Sequence, residues 1–292
     1  MNAVVLLALL AQQTSDAPAV SLDARLRQAI AASGAEVAVA YRTLDGRDEV
    51  LIDVDKSFHA ASTMKVPVMI ELFNQVRAGT ISLADPLPIR NEFRSIVDGS
   101  LFTLSEGDDS DKDVYAAVGK TLTLGQLCDA MITVSSNFAT NLLIQKLGVE
   151  NIRRTVTRLG ADERGGMQVL RGVEDGKAFE KGLNNSTTAR GLMTLLDRLG
   201  RQQAVDEPSD RTMIDILKRQ TFREAIPAGL PTGIAVAHKT GTITRIHHDA
   251  GIVYGPRPYV LVILVRGIDD RKKSAALIAG LSRIVYDATT SQ

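Results

Sequence analysis

Apolar positions along the chain change their period twice. Residues 36–41 and 49–53 alternate apolar and polar side chains, and Asp45-Gly46 between them is a hairpin signal. From residue 62 to about 220 the spacing is helical. One predicted helix covers 63–77 and stops before Gly79. One or two more fill 124–147 and end at Gly148. Further helices over 149–159 and 187–199 end at Gly160 and Gly200. A glycine suits each of these ends, because the residue closing a helix commonly adopts a left-handed conformation. Strand patterns return at 234–238, 250–254 and 259–266, with Gly255-Pro256 as a turn, and an amphipathic helix over 272–287 closes the pattern.

Strand segments on either side of a helical middle predict an α/β (α+β) fold. Its sheet is antiparallel, because the last strands follow one another through turns too short for a parallel crossover. Terminal helices flank the sheet, and an all-helical domain is inserted into it. The expected division is 1–19 as an export signal, 20–61 with 222–292 as a discontinuous α/β domain, and 62–221 as the helical domain. Residues 105–113 and 206–210 read as exposed polar loops.

The signal rests on an uninterrupted apolar run at 3–11 and on Ala17-Pro18-Ala19, an A-x-A cleavage pattern. It lacks the usual basic start, and a frayed terminal helix is the alternative. No later run is long enough to cross a bilayer. Lys plus Arg and Asp plus Glu both number 34, so the chain is neutral and lacks the basic footprint of a nucleic-acid binder. The one cysteine, Cys128, excludes an internal disulfide and reads as a small buried residue.

Three strings carry candidate chemistry: Ser62-Thr63-Met64-Lys65, Ser135-Ser136-Asn137 and Lys239-Thr240-Gly241. Ser62 and Lys65, three apart at a predicted helix start, share a face. A serine hydroxyl needs a base to become a nucleophile, and a lysine serves once burial or a cationic neighbour such as Lys239 lowers its pKa. Ser135 can relay a proton from Lys65 to a departing amine, and Asn137 can hold a substrate amide. Lys239 would anchor a substrate carboxylate and Thr240 would hydrogen-bond it, while Gly241 lets a substrate backbone approach. The N–H groups of Ser62 and Thr242 are candidates for an oxyanion hole. Each string alone has a bland explanation: a helix cap, a turn cluster, a strand ending in a solvated lysine. All three in this order are far more specific.

Together these residues resemble the class A serine β-lactamases of the penicillin-recognising serine hydrolases, over nearly all the chain beyond residue 19. Phe58-His59-Ala60-Ala61, Asn141 with Leu142-Leu143, and residues 223–229 extend the likeness. The resemblance implies hydrolysis of β-lactams through a serine acyl-enzyme, and with it antibiotic resistance. It further implies an exported monomer, periplasmic or secreted, without membrane anchor, metal or organic cofactor. It also implies a glutamate on an Ω-like loop, here 171–185, that activates the deacylating water. Glu174 is preferred on its distance from Ser135. Glu180 begins an E-x-x-L-N string of the family's form but falls late. Asn184 or Asn185 would help to hold the loop. Ser136 replaces the family's usual Asp, and Arg245 is the candidate second cation for a substrate carboxylate. His247-His248-Asp249 is adjacent rather than spaced as metal ligands are. The alternatives are a penicillin-binding D-Ala-D-Ala peptidase or esterase, and a β-lactam receptor that acylates without turnover.

Overall fold

The computed structural model describes residues 20–290. The expected export signal, 1–19, lies outside the described residues. Five antiparallel strands form the main sheet: β1 (Glu36–Thr43), β2 (Glu49–Ile52), β3 (Ala235–Ile243), β4 (Ile246–Tyr254) and β5 (Tyr259–Arg266), in the order β2-β1-β5-β4-β3. Strand β5 sits in the middle, and every residue from Tyr259 to Val265 is buried. That is why its sequence is a continuous apolar run rather than an alternation.

The two faces of the sheet feed separate cores. Val37, Val39, Leu261, Ile263 and Val265 pack with Leu26 of α1 (Leu22–Ser33) and with Ile278, Leu281 and Val285 of the C-terminal helix Arg271–Thr290. Ala38, Ala40, Val260, Val262 and Leu264 face the helical region instead. At its centre lies α2 (Lys65–Arg77), whose residues Lys65 to Phe73 are all buried. Packed around it are α3 (Leu124–Thr133), α4 (Asn137–Leu147), α5 (Val149–Arg158) and, after α6 (Ala189–Gly200), α7 (Glu207–Lys218); α6 itself covers the sheet. Burying side chains such as Met69, Ile70 and Leu72 contributes about 1.5–3 kcal/mol each, and this packing anchors the helix that carries Lys65. Cys128 lies in the same core, and burial pushes its thiol up to about 12, as befits an inert packing residue.

Three expectations need correction. The strands bearing the third string are longer than 234–238 and 250–254: Lys239-Thr240-Gly241 lies inside β3, and His247-His248-Asp249 inside β4. Polar side chains there are covered by helices, so alternation does not mark them. Residues 206–210 are not a loop but the start of α7. Asp206 caps it by accepting from the Ser209 N–H, Pro208 sits in its first turn, and Asp210 is fully buried, accepting from the N–H groups of Ala204 and Val205. Residues 105–113 are largely on the surface, yet Asp111 is buried and Asp109 turns inward. No helix among the described residues is long and apolar enough to cross a membrane.

Candidate active site

Ser62 occupies a single 3₁₀ turn, Ala61–Met64, that runs into α2. The turn begins on Ala61 at φ 46°, a conformation costly for a residue with a Cβ. Strand β3 passes close beside it. A Cβ added to Gly241 would meet the Ser62 nitrogen at 3.2 Å and Ala61 Cβ at 3.2 Å, so the absent side chain is what permits the approach. Ser62 is half-buried and lines a cleft of about 430 Å³ with His59, Asn137, Glu174, Thr242 and Ile243 among its walls.

Lys65, one turn on, is fully buried. Its Nζ donates to the Ser135 carbonyl at 2.6 Å, to Ser135 Oγ at 3.1 Å and to Asn137 Oδ1 at 2.8 Å. Burial lowers its pKa to about 7, although Asp109 and Glu174 pull the other way. A neutral amine is therefore accessible near physiological pH.

Lys239 is also fully buried, and its Nζ donates to Ser135 Oγ at 2.9 Å and to the Thr240 carbonyl at 3.0 Å. Burial first, then the charge of Lys65, holds it well below the ordinary lysine range. Ser135 Oγ thus accepts from two amines, which fills its lone pairs and leaves its own hydrogen as a donor. Ser135 itself sits at φ 63°.

The loop after residue 170 closes the cleft. Glu174 Oε1 accepts from Asn137 Nδ2 at 2.6 Å, so one amide side chain joins Lys65 to Glu174. The glutamate remains open to solvent. Its pKa is raised, mainly by desolvation; the Asn137 bond opposes this and the charges of Asp109 and Asp108 add to it. Glu174 is another left-handed residue, at φ 60°.

Two asparagines and an arginine hold this loop in place. Asn141 clamps Val173, accepting from its N–H at 2.7 Å and donating to its carbonyl at 2.9 Å. Asn185 accepts from Leu170 N and Arg171 N and donates to Arg171 O. The carbonyl of Asn185 takes the N–H of Ala60, tying the loop to the nucleophile's turn at 2.9 Å. Arg171, 6% exposed, donates to Leu183 O, Gly172 O and Asn184 Oδ1.

The remaining candidates divide. Thr242 lines the cleft, whereas Thr240 is buried outside its wall. Glu180 ends the exposed helix Gly176–Glu180 and is not part of the cleft. Arg245 turns away at the β3–β4 hairpin, donating to the Gly267 carbonyl and pairing with Asp269 at 3.5 Å. His248 and Asp249 are engaged locally: His248 Nε2 meets the His59 carbonyl at 3.0 Å, and Asp249 meets His238 Nδ1 and the Ile226 N–H, each at 2.9 Å.

Sequence reasoning missed the contribution of several residues. His59 Nδ1 accepts from the Ala61 N–H at 3.0 Å, within the strained turn. Asp175 is buried and ties the loop to Ser95 and to the N–H of Ile96. Phe179, 61% exposed, gives the cleft an apolar wall. Only the Asp175-to-Ala178 cap carried a sequence signal, an acid ahead of a short helix.

This fold is that of β-lactamases and penicillin-binding proteins. A β-lactamase from Sphaerobacter thermophilus superposes with a TM-score of 0.79 at 24% identity, covering 91% of this chain and 97% of that one. PBP-A superposes equally well, TM-score 0.79 at 25% identity, covering 93% and 96%. The chain belongs to the β-lactamase enzyme family, whose sequence profile matches residues 21–289. A β-lactamase of Bacillus licheniformis is 32% identical over 181 residues, which cover 57% of this chain and 56% of the relative.

Proposed function

We propose that the protein is a class A β-lactam hydrolase working through an acyl-enzyme on Ser62. The observation that carries this reading is the bond from Asn137 to Glu174, made by the same amide that accepts from Lys65. It supports Lys65 as the base for acylation and Glu174 as the base for deacylation, on either side of one residue that lines the nucleophile's cleft.

In this reading Ser62 Oγ attacks the lactam carbonyl carbon and gives its proton to neutral Lys65 or, through water, to Glu174. The N–H groups of Ser62 and Thr242 receive the developing oxyanion. Ser135, whose hydrogen is left free by its two amine donors, protonates the lactam nitrogen as the C–N bond breaks, and recovers a proton from Lys65. Glu174 then takes a proton from water, which attacks the ester carbon, and returns it, through Lys65 or water, to Ser62 Oγ as the ester C–O bond breaks. Thr240, Lys239 and Gly241 serve the substrate's carboxylate side, with Lys239 acting through Ser135 Oγ, to which its buried amine donates. The expected setting is outside the cytoplasm, as an exported monomer conferring β-lactam resistance.

Sustained hydrolysis of a chromogenic cephalosporin, absent in Ser62→Ala, is the expected result. One equivalent of product followed by a stall would instead favour a penicillin-binding peptidase. The likeness to PBP-A keeps that second reading in view, since a PBP-A mutant has been solved as an acyl-enzyme complex with penicillin-G.

A further inference from the structure

The middle residue of Ser135-Ser136-Asn137 is neutral where the S-D-N form of the string carries an acid. A carboxylate is nevertheless present at that point in space, supplied by a different segment. Asp109 Oδ1 accepts from the Asn137 N–H at 3.0 Å, and Oδ2 accepts from the Phe138 N–H at 2.9 Å. Ser136 Oγ reaches the same oxygen at 3.4 Å and accepts from the Ala139 N–H at 3.2 Å. Asp109 and Ser136 thus satisfy the first three N–H groups of α4, which have no partner within the helix. Next in sequence, Ser110 Oγ donates to the Val134 carbonyl at 2.6 Å, so two consecutive residues fasten this surface segment to the turn.

We propose that Asp109 is a positioning residue for the reaction: it fixes Asn137 by its backbone and supplies the charge that the Ser-Ser-Asn string lacks. Asn137 is the first residue of α4, and its amide is shared between Lys65 and Glu174. Holding its N–H therefore sets the aim of both contacts. The charge acts on the same pair. Lys65 faces Asp109, Glu174 and the Lys239 amine, and Glu174 faces Asp109, Asp108 and Lys65. Asp109 raises the proton affinity of both bases, so removing its charge lowers both. The inference rests on Ser62 chemistry as proposed above, and it is read on acylation, which does not require turnover.

The test is the rate of Ser62 acylation by a penicillin as a function of pH, followed by intact mass. It compares wild type, Asp109→Asn, Ser136→Asp and the double variant, with thermal melting alongside. Asp109→Asn is expected to slow acylation on the order of 10–100-fold, the scale of a misaimed catalytic group. Its acid limb should move to lower pH, a sign that holds whichever base accepts the serine proton. Ser136→Asp in that background should restore most of the rate and the limb's position. Alone, it adds a second acid and should move the limb to higher pH. An unmoved acid limb in Asp109→Asn, with or without a lower melting temperature, overturns the proposal, as does a double variant no better than the single. A wild-type protein that acylates but never turns over contradicts the hydrolase reading alone.

Discussion

Lys65 and Glu174 bond to opposite ends of the Asn137 amide, yet they are held by different kinds of structure. Lys65 projects from a helix buried along nine consecutive residues, and its amine makes three hydrogen bonds. Glu174 is solvent-open, on a left-handed backbone position, and steadied at one remove by Asn141 and Asn185. Core packing fixes the lysine, so the half of the site proposed for acylation cannot shift without disturbing the helical core. Side-chain bonds to backbone fix the glutamate, so the half proposed for deacylation can change while the helical core stays packed. Of the seven non-glycine residues with positive φ among the described residues, Ala61, Ser135 and Glu174 all sit at the site. Both halves therefore carry strain where function concentrates it.

The largest way to break this contrast is Lys65→Met, which keeps the buried volume and removes the amine. Acylation by a penicillin should fall about 10²–10⁴-fold, the usual value of a general base. The measurement is the stopped-flow acylation rate; a near-normal rate would move the base role to Glu174.

Gly172→Ala addresses the loop. The added Cβ would lie 2.5 Å from Asn141 Oδ1, so the clamp on Val173 must open. Deacylation should slow while acylation holds, with a stability loss of about 1–3 kcal/mol from the polar groups left unpaired. Melting curves together with single-turnover rates check both parts.

A further effect is on the pH dependence of stability. Burial lowers the Lys65 pKa from an ordinary 10.5 to about 7. Between those values the unfolded chain holds a proton that the folded chain has released. Stability therefore rises with pH across that window. Lys65→Met should flatten the rise in denaturant midpoints measured from pH 7 to 10.

Much of this was legible in the sequence because periodicity and chemistry agreed. The three strings, the Asp45-Gly46 hairpin and the glycines closing α4 and α5 are local signals, and each appears at its place in the fold. The losses come from contacts made at a distance. Lys239 and His248 look too polar for a strand interior until the fold brings Ser135 Oγ of the helical region and the carbonyl of His59, in the short strand Phe58–His59, to them as partners. Asp109 lies 28 residues from the Asn137 N–H it accepts from, in a segment whose composition reads as solvent-exposed. The E-x-x-L-N string at Glu180 lies outside the cleft wall, and its Asn184 bonds to Arg171 within the loop.

The central claim is that acylation and deacylation reside on the two sides of Asn137. The most direct test is an intact-mass time course of Glu174→Gln with a penicillin, beside Glu180→Gln. Glu174→Gln is expected to acylate and then keep the mass increment on Ser62, while Glu180→Gln clears it at the wild-type rate. Rapid clearance in Glu174→Gln, or trapping in Glu180→Gln instead, would contradict the account.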